Sequence, residues 1–561
     1  MKKLLTASLG LCLMALAVRA AEPPPGLDRA EALRLGMRMY RQGILPSGEP
    51  MMAVVQGDIP VDSRTFSCQS CHLRSGVGAS EGTVVALPVN WGYLSKPLAR
   101  GTPIPRTPEG QVPPNFRSTE LRPAYVDETL AEAIRLGLAP PDRQLLPVMP
   151  RYTLADRDMA ILIHYLKNLS AETAPGVTDQ EIHFATVVSD GVPAADRDAM
   201  LAVLEAHIRD HNAQSRWQEQ RAAKGPFFDE EMNLSWRRWI LHRWELKGDR
   251  STWPAQLEEY SRKDPAFVLL GGMVEGDWEP VHRFCEDHQI PCILPCTDRP
   301  VVSGGDWYTL YFSKGLAQEG ETVARYLPQL PDIPPGTPVV QVYRPGSDGQ
   351  RLAEATADAR RRIGRFPEPV MVEYTGIPPT AGMWADIARD HPGAILVVWL
   401  GPADLVEAGA LSQLTAGQPR AIFVSASLLQ ENWQSVPESL RGRAYITYAY
   451  GLPDEMKAKQ NALRQWLRIR NIPFDRPVVQ AKMYFLGWML SEVFMRMRRN
   501  FYRDYFLDLM DMMRDQFFTI TLYPRLSFGP GQRFAAKGCY VVQLGPGPQP
   551  PLIRKSDWVN Y

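Results

Sequence analysis

The sequence has no excess of charge of either sign and no long apolar run beyond its first residues. Its 561 residues hold 62 Lys and Arg against 62 Asp and Glu. No basic patch is dense enough to indicate a nucleic-acid partner or a membrane surface. Past residue 20, no segment reaches the roughly 18 uncharged apolar residues of a membrane-spanning helix. The chain also lacks a Ser–His–acid set, a phosphate loop and a paired-carboxylate motif, which argues against an enzyme without excluding one.

Residues 1–20 have the pattern of a secretory signal peptide. Lys2 and Lys3 form a charged start, Leu4–Val18 is apolar, and small residues stand at the cleavage positions 18 and 20. A membrane anchor is the alternative, but the apolar run is short and the turn-prone segment 23–26 follows it. We therefore expect a periplasmic protein with no membrane span in the mature chain.

The segment Cys68-Gln69-Ser70-Cys71-His72 contains Cys-x-x-Cys-His, the attachment motif of a c-type haem. A redox disulfide or half of a zinc site would also use two cysteines at this spacing. The export signal and the loop Leu146–Tyr152 decide between these interpretations. In that loop Met149 stands between two prolines, and a thioether held in a stiff extended loop suits haem iron. The motif thus predicts one covalent haem c.

Helical patterns flank this motif on both sides. Apolar residues recur at helical spacing from Asp28 to Ile44, from Leu130 to Leu138 and from Met159 to Leu169. A capping-box-like Thr153-x-x-Asp156 precedes the last pattern.

With this order of helices and motifs, residues 27–170 resemble the class I cytochrome c family. The resemblance implies Cys68 and Cys71 as thioether sites, His72 as the proximal ligand and Met149 as the distal ligand. It also implies electron transfer with a periplasmic redox partner that the sequence does not identify.

Beyond a linker at 171–178, strand and helix patterns alternate through residues 179–561. Alternation of this kind predicts parallel sheets with helices on both faces. The predicted strands are 182–188, 267–270, 292–294, 339–343, 370–374, 394–400 and 421–424. A long helical region over 478–514 and strands around Thr519 and Tyr540 complete the pattern.

This part resembles the type I periplasmic binding proteins, the family of the leucine/isoleucine/valine-binding protein. The resemblance rests on the strand at Ile182, the strand end Gly271-Gly272, the segment Tyr308–Phe312 and the closing segment Phe528–Arg533. It implies two α/β lobes with a small organic ligand in the cleft between them.

Ligands of open α/β sheets bind beyond the carboxyl ends of the strands. Each residue at such an end has an ordinary loop role as its alternative. The candidate cleft residues are Ser189, Asp190, Gly272, Met273, Thr297, Asp298, Tyr343, Arg344, Glu373 and Tyr374.

Four further cysteines follow the haem motif, Cys285, Cys292, Cys296 and Cys539. An even number permits two disulfides in an oxidising compartment, and buried free thiols are the alternative. The sequence does not give a pairing.

The predicted fold class is thus multidomain, with an all-α cytochrome c domain followed by a two-lobed α/β body like that of periplasmic binding proteins. Three functions fit this architecture. The first is a mono-haem electron carrier that a bound ligand regulates or targets. The second is a solute-binding or sensing protein with an accessory haem. The third is the electron-accepting subunit of a periplasmic dehydrogenase.

Overall fold

The computed structural model describes residues 22–55, 59–81, 84–97, 122–222 (backbone alone over 215–222), 236–330, 333–334, 336–364, 367–376, 378–513, 522–529 and 531–560. The expected signal peptide and the strand expected around Thr519 lie outside these residues. The chain divides into two compact units, unit 1 at 1–173 and unit 2 at 174–561.

Five helices and seven short strands make up the described part of unit 1. The helices are α1 (Arg29–Gln42), α2 (Cys68–His72), α3 (Trp91–Leu94), α4 (Asp127–Leu136) and α5 (Asp156–Asn168). The strands are β1 (Met52–Val55), β2 (Ile59–Asp62), β3 (Ser80–Glu81), β4 (Val84–Val85), β5 (Leu138–Ala139), β6 (Arg143–Gln144) and β7 (Arg151–Tyr152).

The core of unit 1 forms where α1 crosses α5. A Cβ added to Gly36 would lie 2.4 Å from the Cβ of Tyr165. The two helices can therefore approach each other this closely only because Gly36 has no side chain. The Asp28 side chain accepts a hydrogen bond from the Glu31 amide at the start of α1, and Gly43 ends the helix with φ 66°. Helix α5 begins later than expected, because its N-cap is Ala155 and the Thr153 capping box does not form.

Unit 1 is mainly helical but not all-α, which corrects the sequence prediction. Strands β2, β1 and β7 form an antiparallel sheet in that order. Met52–Val55 shows no helical period and contains two adjacent β-branched residues, which favour extended chain.

Unit 2 contains two sheets. The strands of the first are β8 (Glu181–Ser189), β9 (Arg238–Leu246), β10 (Val268–Leu270), β11 (Cys292–Ile293) and β12 (Thr309–Leu310). Those of the second are β13 (Val339–Tyr343), β14 (Val370–Glu373), β15 (Ile395–Trp399), β16 (Ala421–Ser425), β17 (Ala444–Tyr448), β18 (Gly538–Leu544), β19 (Leu552–Arg554) and β20 (Val559–Asn560).

The two sheets share one strand order. The first sheet runs β12-β11-β10-β8-β9 and the second begins β14-β13-β15-β16-β17. All pairings among these strands are parallel, whereas β18 pairs antiparallel with β17 and β19. Both sheets therefore follow the doubly wound order 2-1-3-4-5, and the two-lobed α/β body that the sequence predicted is confirmed.

Helices cover both faces of each sheet. They are α6 (Ala194–Ala222), α7 (Trp253–Lys263), α8 (Glu279–Asp287), α9 (Leu316–Tyr326), α10 (Asp348–Ile363), α11 (Ala381–Asp390), α12 (Ala426–Leu429), α13 (Pro453–Ile469), α14 (Pro477–Met497) and α15 (Arg503–Asp511). Two apolar clusters flank each sheet, so strands such as β15 and β16 are buried along their whole length. Helices α13, α14 and α15 pack on the first sheet, although they follow β17 of the second sheet in the chain.

The structure differs from the predicted elements of unit 2 in several strands and in one helical region. Strands β9, β12, β17, β19 and β20 were not predicted. The helical region predicted over 478–514 is two helices, because the chain turns at Arg498 with φ 54°. None of the described helices is long and apolar enough to cross a membrane.

Candidate functional site

The carboxyl ends of strands from both sheets lead into one region of unit 2. Strand β11 of the first sheet leads to Cys296 and Asp298, and β12 leads to Phe312. Strand β17 of the second sheet leads to Tyr450, which lies within electrostatic range of Asp298. Residues that follow strands of different lobes thus approach each other, and we call this region the cleft.

Lys482 on α14 lies at the centre of this cleft. Its Nζ is 5.6 Å from the centre of the Phe312 ring and 5.9 Å from that of the Tyr450 ring. Tyr523 stacks 5.8 Å from Phe312 and lies 5.4 Å from Tyr450. We call these four residues, with Cys296 and Asp298, the Lys482 cluster.

The position of Lys482 follows from the packing of α14 on the first sheet. Gly271, directly after β10, has φ 58°, and a Cβ there would lie 2.7 Å from the sulfur of Met483. Helix α14 therefore passes directly over the carboxyl end of β10, next to the switch point between β8 and β10. A side chain in place of the glycine hydrogen would push Met483, and with it Lys482, away from the sheet.

The Lys482 ammonium has little water around it and no ion-pair partner among the described residues. The residue is 7% exposed, and among the described residues its Nζ makes neither a hydrogen bond nor an ion pair. Burial tends to lower the pKa of Lys482, whereas nearby Tyr450, Tyr523 and Asp298 raise it, and the net direction is upward, so the side chain is positively charged at neutral pH. Burial also raises the pKa of both tyrosines, so they are neutral phenols at neutral pH and do not balance the ammonium.

We call the part of unit 2 around the first sheet the first lobe and the part around the second sheet the second lobe. A buried carboxylate lies on the side of the cleft formed by the second lobe. Glu319 on α9 is fully buried and accepts hydrogen bonds from the Ser427 hydroxyl and, at 2.7 Å, from the Thr447 hydroxyl. Burial raises the pKa of Glu319, and these hydroxyl donors partly offset that rise. The Glu319 carboxylate thus has its partners within the second lobe.

The candidate residues of the first lobe lie at the expected strand ends, but most have partners of their own. The Ser189 hydroxyl accepts a hydrogen bond from the Glu275 amide at 2.8 Å, and the Asp190 carboxylate accepts one from the Gly248 amide at 3.0 Å. Thr297 accepts one from the Arg299 amide at 3.0 Å.

The other three first-lobe candidates differ in exposure. Met273 is buried, and a Cβ on Gly272 would lie 2.8 Å from the Trp278 ring, so both residues are tightly packed. Asp298 is exposed and belongs to the Lys482 cluster.

The candidate residues of the second lobe form a separate group after β13 and β14. The Arg344 guanidinium donates to both carboxylate oxygens of Asp404, at 3.2 and 2.7 Å, and lies 5.1 Å from the Tyr374 ring. The Tyr343 hydroxyl donates to Glu373 at 3.1 Å. Among the ten candidates, Asp298 is thus the one for which the structure records proximity to Lys482.

Lys482, Tyr450 and Glu319 were not among the residues predicted from the sequence. Lys482 is the one charged residue in the stretch 478–491, and a lone lysine on a largely buried helix is a signal for a functional cation. Tyr450 and Glu319 carry no comparable signal, because only the folded chain brings them to the cleft.

In unit 1 the Cys-x-x-Cys-His motif forms the short helix α2. Cys68 is half-buried, Cys71 is exposed, and both are free thiols. The Nδ1 of His72 is 2.7 Å from the Leu87 carbonyl oxygen and donates to it, which leaves Nε2 with the free lone pair. Burial lowers the pKa of His72, so its imidazole is neutral and able to bind a metal.

Met149 lies in a loop that Arg151 holds in place. The Arg151 guanidinium donates to the carbonyl oxygens of Met149, Leu145 and Leu146 at 2.6, 3.0 and 3.2 Å. The neighbouring Tyr152 hydroxyl donates to the Phe66 carbonyl at 3.0 Å. Tyr152 also forms a side-chain hydrogen bond with the Cys68 thiol. The end of the methionine loop thus lies beside the cysteine motif.

The residues present fit a covalently bound haem. A histidine that binds a metal usually donates its second ring N–H to a carbonyl or carboxylate, as His72 does here. Two reduced thiols precede it on the same helix. Within the described residues there is no group of three or more His, Cys, Asp and Glu side chains that could hold a metal ion by themselves.

The remaining cysteines have different environments. The Cys285 thiol is hydrogen-bonded to Cys292, and both are fully buried. Cys296 belongs to the Lys482 cluster, and burial raises its pKa to about 11. Cys539 lies 3.5 Å from the amide nitrogen of Gln318. The structure therefore brings together only one pair among these four thiols.

No protein-family model matches the chain, and no curated protein matches it. Solved structures similar to it include an ABC transporter substrate-binding protein from Sphaerobacter thermophilus, with 12% identity, a TM-score of 0.48, and coverage of 68% of this chain and 98% of that one. A branched-chain amino acid ABC transporter protein from Thermus thermophilus with bound valine has 12% identity, a TM-score of 0.47, and coverage of 69% and 98%.

A fatty acid ABC transporter substrate-binding protein from Thermomonospora curvata has 13% identity, a TM-score of 0.45, and coverage of 70% and 95%. All three of these solved structures are described as ABC transporter proteins. At such low similarity the fold of unit 2 is better defined by its own strand orders and registers, described above.

Proposed function

We propose that unit 2 binds a small organic solute in the cleft between its two lobes. The observation that carries this proposal is the Lys482 ammonium, which is buried beside the carboxyl ends of β10 and β11 and forms no ion pair with any described residue. Doubly wound sheets bind ligands in this position, at the switch point of the strand order. A buried charge without a partner is unfavourable by several kcal/mol, and a bound solute would provide that partner.

This proposal favours the second of the three functions considered above, a solute-binding or sensing protein with an accessory haem. The expected periplasmic location agrees with it, because proteins of this architecture collect solutes outside the cytoplasm. Electron transfer to a redox partner then depends on unit 1 and is a separate part of the proposal.

Thermal unfolding of the full chain against a panel of metabolites tests the binding proposal. Of the 14 tryptophans only Trp91 precedes residue 174, so intrinsic fluorescence reports mainly on unit 2. A ligand at a hundredfold excess over its Kd stabilises a protein by about 2.7 kcal/mol. We expect one class of metabolite to raise the unfolding temperature of the wild type.

A matched pair of variants completes the experiment. Replacing Tyr450 by Ala removes a ring from the cleft and is expected to reduce the ligand-induced shift. Replacing the exposed Lys457 of α13 by Met leaves the shift unchanged. If no metabolite stabilises the wild type, or if Tyr450→Ala has no effect on the shift, the proposal is wrong.

We also propose that unit 1 carries one haem c, attached at Cys68 and Cys71 and bound by His72, with Met149 as the second axial ligand. The orientation of His72 through its hydrogen bond to Leu87 supports this proposal. A haem with His and Met ligands supplies one-electron chemistry at a raised potential. The residues of this chain hold the imidazole neutral and keep the methionine loop closed around Arg151.

Mass spectrometry under denaturing conditions tests the haem proposal. Protein exported from cells that contain the haem-maturation machinery is expected to keep the mass of one haem after denaturation. A variant with both Cys68 and Cys71 replaced by Ser is expected to lose that mass, and Cys539→Ser serves as the control that keeps it. Wild-type protein without the added mass would contradict the proposal.

A further inference from the structure

The surroundings of Lys482 restrict the charge of the solute. An ammonium that is 7% exposed retains little hydration, and its cation–π contacts with the Phe312 and Tyr450 rings, whose centres lie 5.6 and 5.9 Å away, offset only part of the cost of burying a charge. An anionic group on the solute would restore the balance.

The nearby acids do not provide this anionic group. The Glu319 carboxylate is hydrogen-bonded to Ser427 and Thr447. Asp298 is exposed and makes no ion pair with Lys482 in the described part of the chain. A negatively charged Asp298 within electrostatic range of Lys482 would repel a second negative charge on the solute. These two acids therefore favour a solute with one negative charge.

The aromatic residues of the Lys482 cluster, together with Tyr448 beside Tyr450, indicate what the rest of the solute is. Tyr448 and Tyr450 are half-buried, and their rings lie 6.1 Å apart at 82° to each other. Phe312 and Tyr523 are buried behind them. Aromatic pairs prefer offset-stacked or edge-to-face arrangements, so the exposed parts of these two rings offer surfaces on which a further ring can pack.

We infer that the cleft recognises small aromatic monocarboxylates, with the carboxylate on the Lys482 ammonium and the ring against Tyr448 and Tyr450. This inference rests on the proposed function and names the class of solute for it. The position of Lys482 is set by Met483 over Gly271, so the ammonium is in place before the solute arrives. Lys482 is thus the residue that selects for negative charge.

Isothermal titration of the full chain with benzoate and benzamide tests the inference. The two probes share shape and ring and differ in charge. For the wild type we expect benzoate to bind at least tenfold more tightly than benzamide. Lys482→Met is expected to weaken benzoate at least tenfold and to leave the affinity for benzamide within about twofold. The exposed control Lys457→Met is expected to match the wild type.

Lys482→Met is suited to this test because Met fills a similar volume, and replacing a buried charge by an apolar group is often neutral for stability. A urea unfolding curve checks that the variant is folded, and Lys482→Arg, which keeps the charge, is expected to retain the preference for benzoate. Equal affinities for the two probes in the wild type, or full benzoate affinity in Lys482→Met, would overturn the inference.

The inference and the proposed function fail in different ways. If neither probe binds at millimolar concentration, the inference of an aromatic monocarboxylate is wrong. The thermal unfolding experiment then tests solute binding independently of the aromatic probes. A neutral or cationic metabolite that stabilises the wild type but not Tyr450→Ala would support solute binding in the cleft and exclude selection for negative charge by Lys482.

Discussion

Removing one partner of the buried ion pair between Asp511 and Arg533 should destabilise unit 2 strongly. The Arg533 guanidinium donates to the Asp511 carboxylate at 2.6 Å, and both side chains are 5% exposed. Arg533 also donates to the Trp307 carbonyl at 2.9 Å and lies 4.5 Å from the Trp307 ring. The pair joins α15 to the segment that leads into β18, and so holds the last chain crossing to the first lobe.

The expected magnitude follows from the burial of both groups. Asp511→Ala leaves a guanidinium with little water, and breaking such a pair typically destabilises a protein by about 3–5 kcal/mol. Arg533→Met removes the guanidinium from the buried carboxylate, with an effect of similar size. The double variant removes both charges, so it should lose about 3 kcal/mol less than the sum of the single variants.

Urea unfolding followed by tryptophan fluorescence measures these differences, since nearly all tryptophans lie in unit 2. The pair Arg389–Asp386 is the control, because its nitrogen and oxygen are 2.8 Å apart but its side chains are 70% and 59% exposed. Replacing either residue by Ala should change the free energy of unfolding by less than about 1 kcal/mol. Additive losses for Asp511 and Arg533, or a loss below about 1 kcal/mol for Asp511→Ala, would refute the reasoning.

Three further predictions concern individual side chains. Burial lowers the pKa of His207 to about 4, so as the pH falls below about 6.5 this histidine takes up a proton in the unfolded chain before it does so in the folded one. The folded state therefore loses stability between pH 7 and pH 5. In urea titrations, His207→Phe should reduce this loss by about 2 kcal/mol. An unchanged pH dependence would contradict this. Oxidation of the folded protein by a disulfide reagent should link Cys285 to Cys292 and leave Cys539 reduced, and peptide mapping that finds Cys539 in a disulfide would count against it. In the haem-loaded protein, Met149→His should lower the midpoint potential in a potentiometric titration, because a second imidazole replaces the thioether, and an unaltered potential would exclude Met149 as a ligand.

The sequence predicted the parts of the fold that depend on local patterns. The buried strands β8, β13, β15 and β16 lie within a residue or two of the expected ranges, because a continuous apolar run between two helical segments is typical of a parallel strand buried on both faces. Strand β9 was missed because its charged and aromatic residues, Arg238–Leu246, alternate irregularly at the edge of the sheet. The break at Arg498 was missed because it depends on a single positive φ and leaves the helical pattern on both sides intact.

The site was harder to predict than the fold. Asp298 was found because it follows a strand, and the rule that ligands bind beyond strand ends applies to it directly. Lys482 lies on a helix, and Tyr450 lies in a crossing between lobes, so neither position follows from that rule. Arg344 was predicted as a candidate cleft residue because it follows a strand. In the folded chain, however, its guanidinium is hydrogen-bonded to Asp404. Partners of this kind are 60 residues away and become visible only in three dimensions.

Native mass spectrometry of the full chain, loaded with a carboxylate metabolite library and then denatured, is the most direct test of solute binding at Lys482. We predict a small organic mass that is bound in the native protein, lost on denaturation and absent from Lys482→Met. We also predict one haem mass that survives denaturation. If wild type and Lys482→Met retain the same organic mass, the cleft does not use Lys482, and if the wild type retains none, unit 2 does not bind the solutes that we propose.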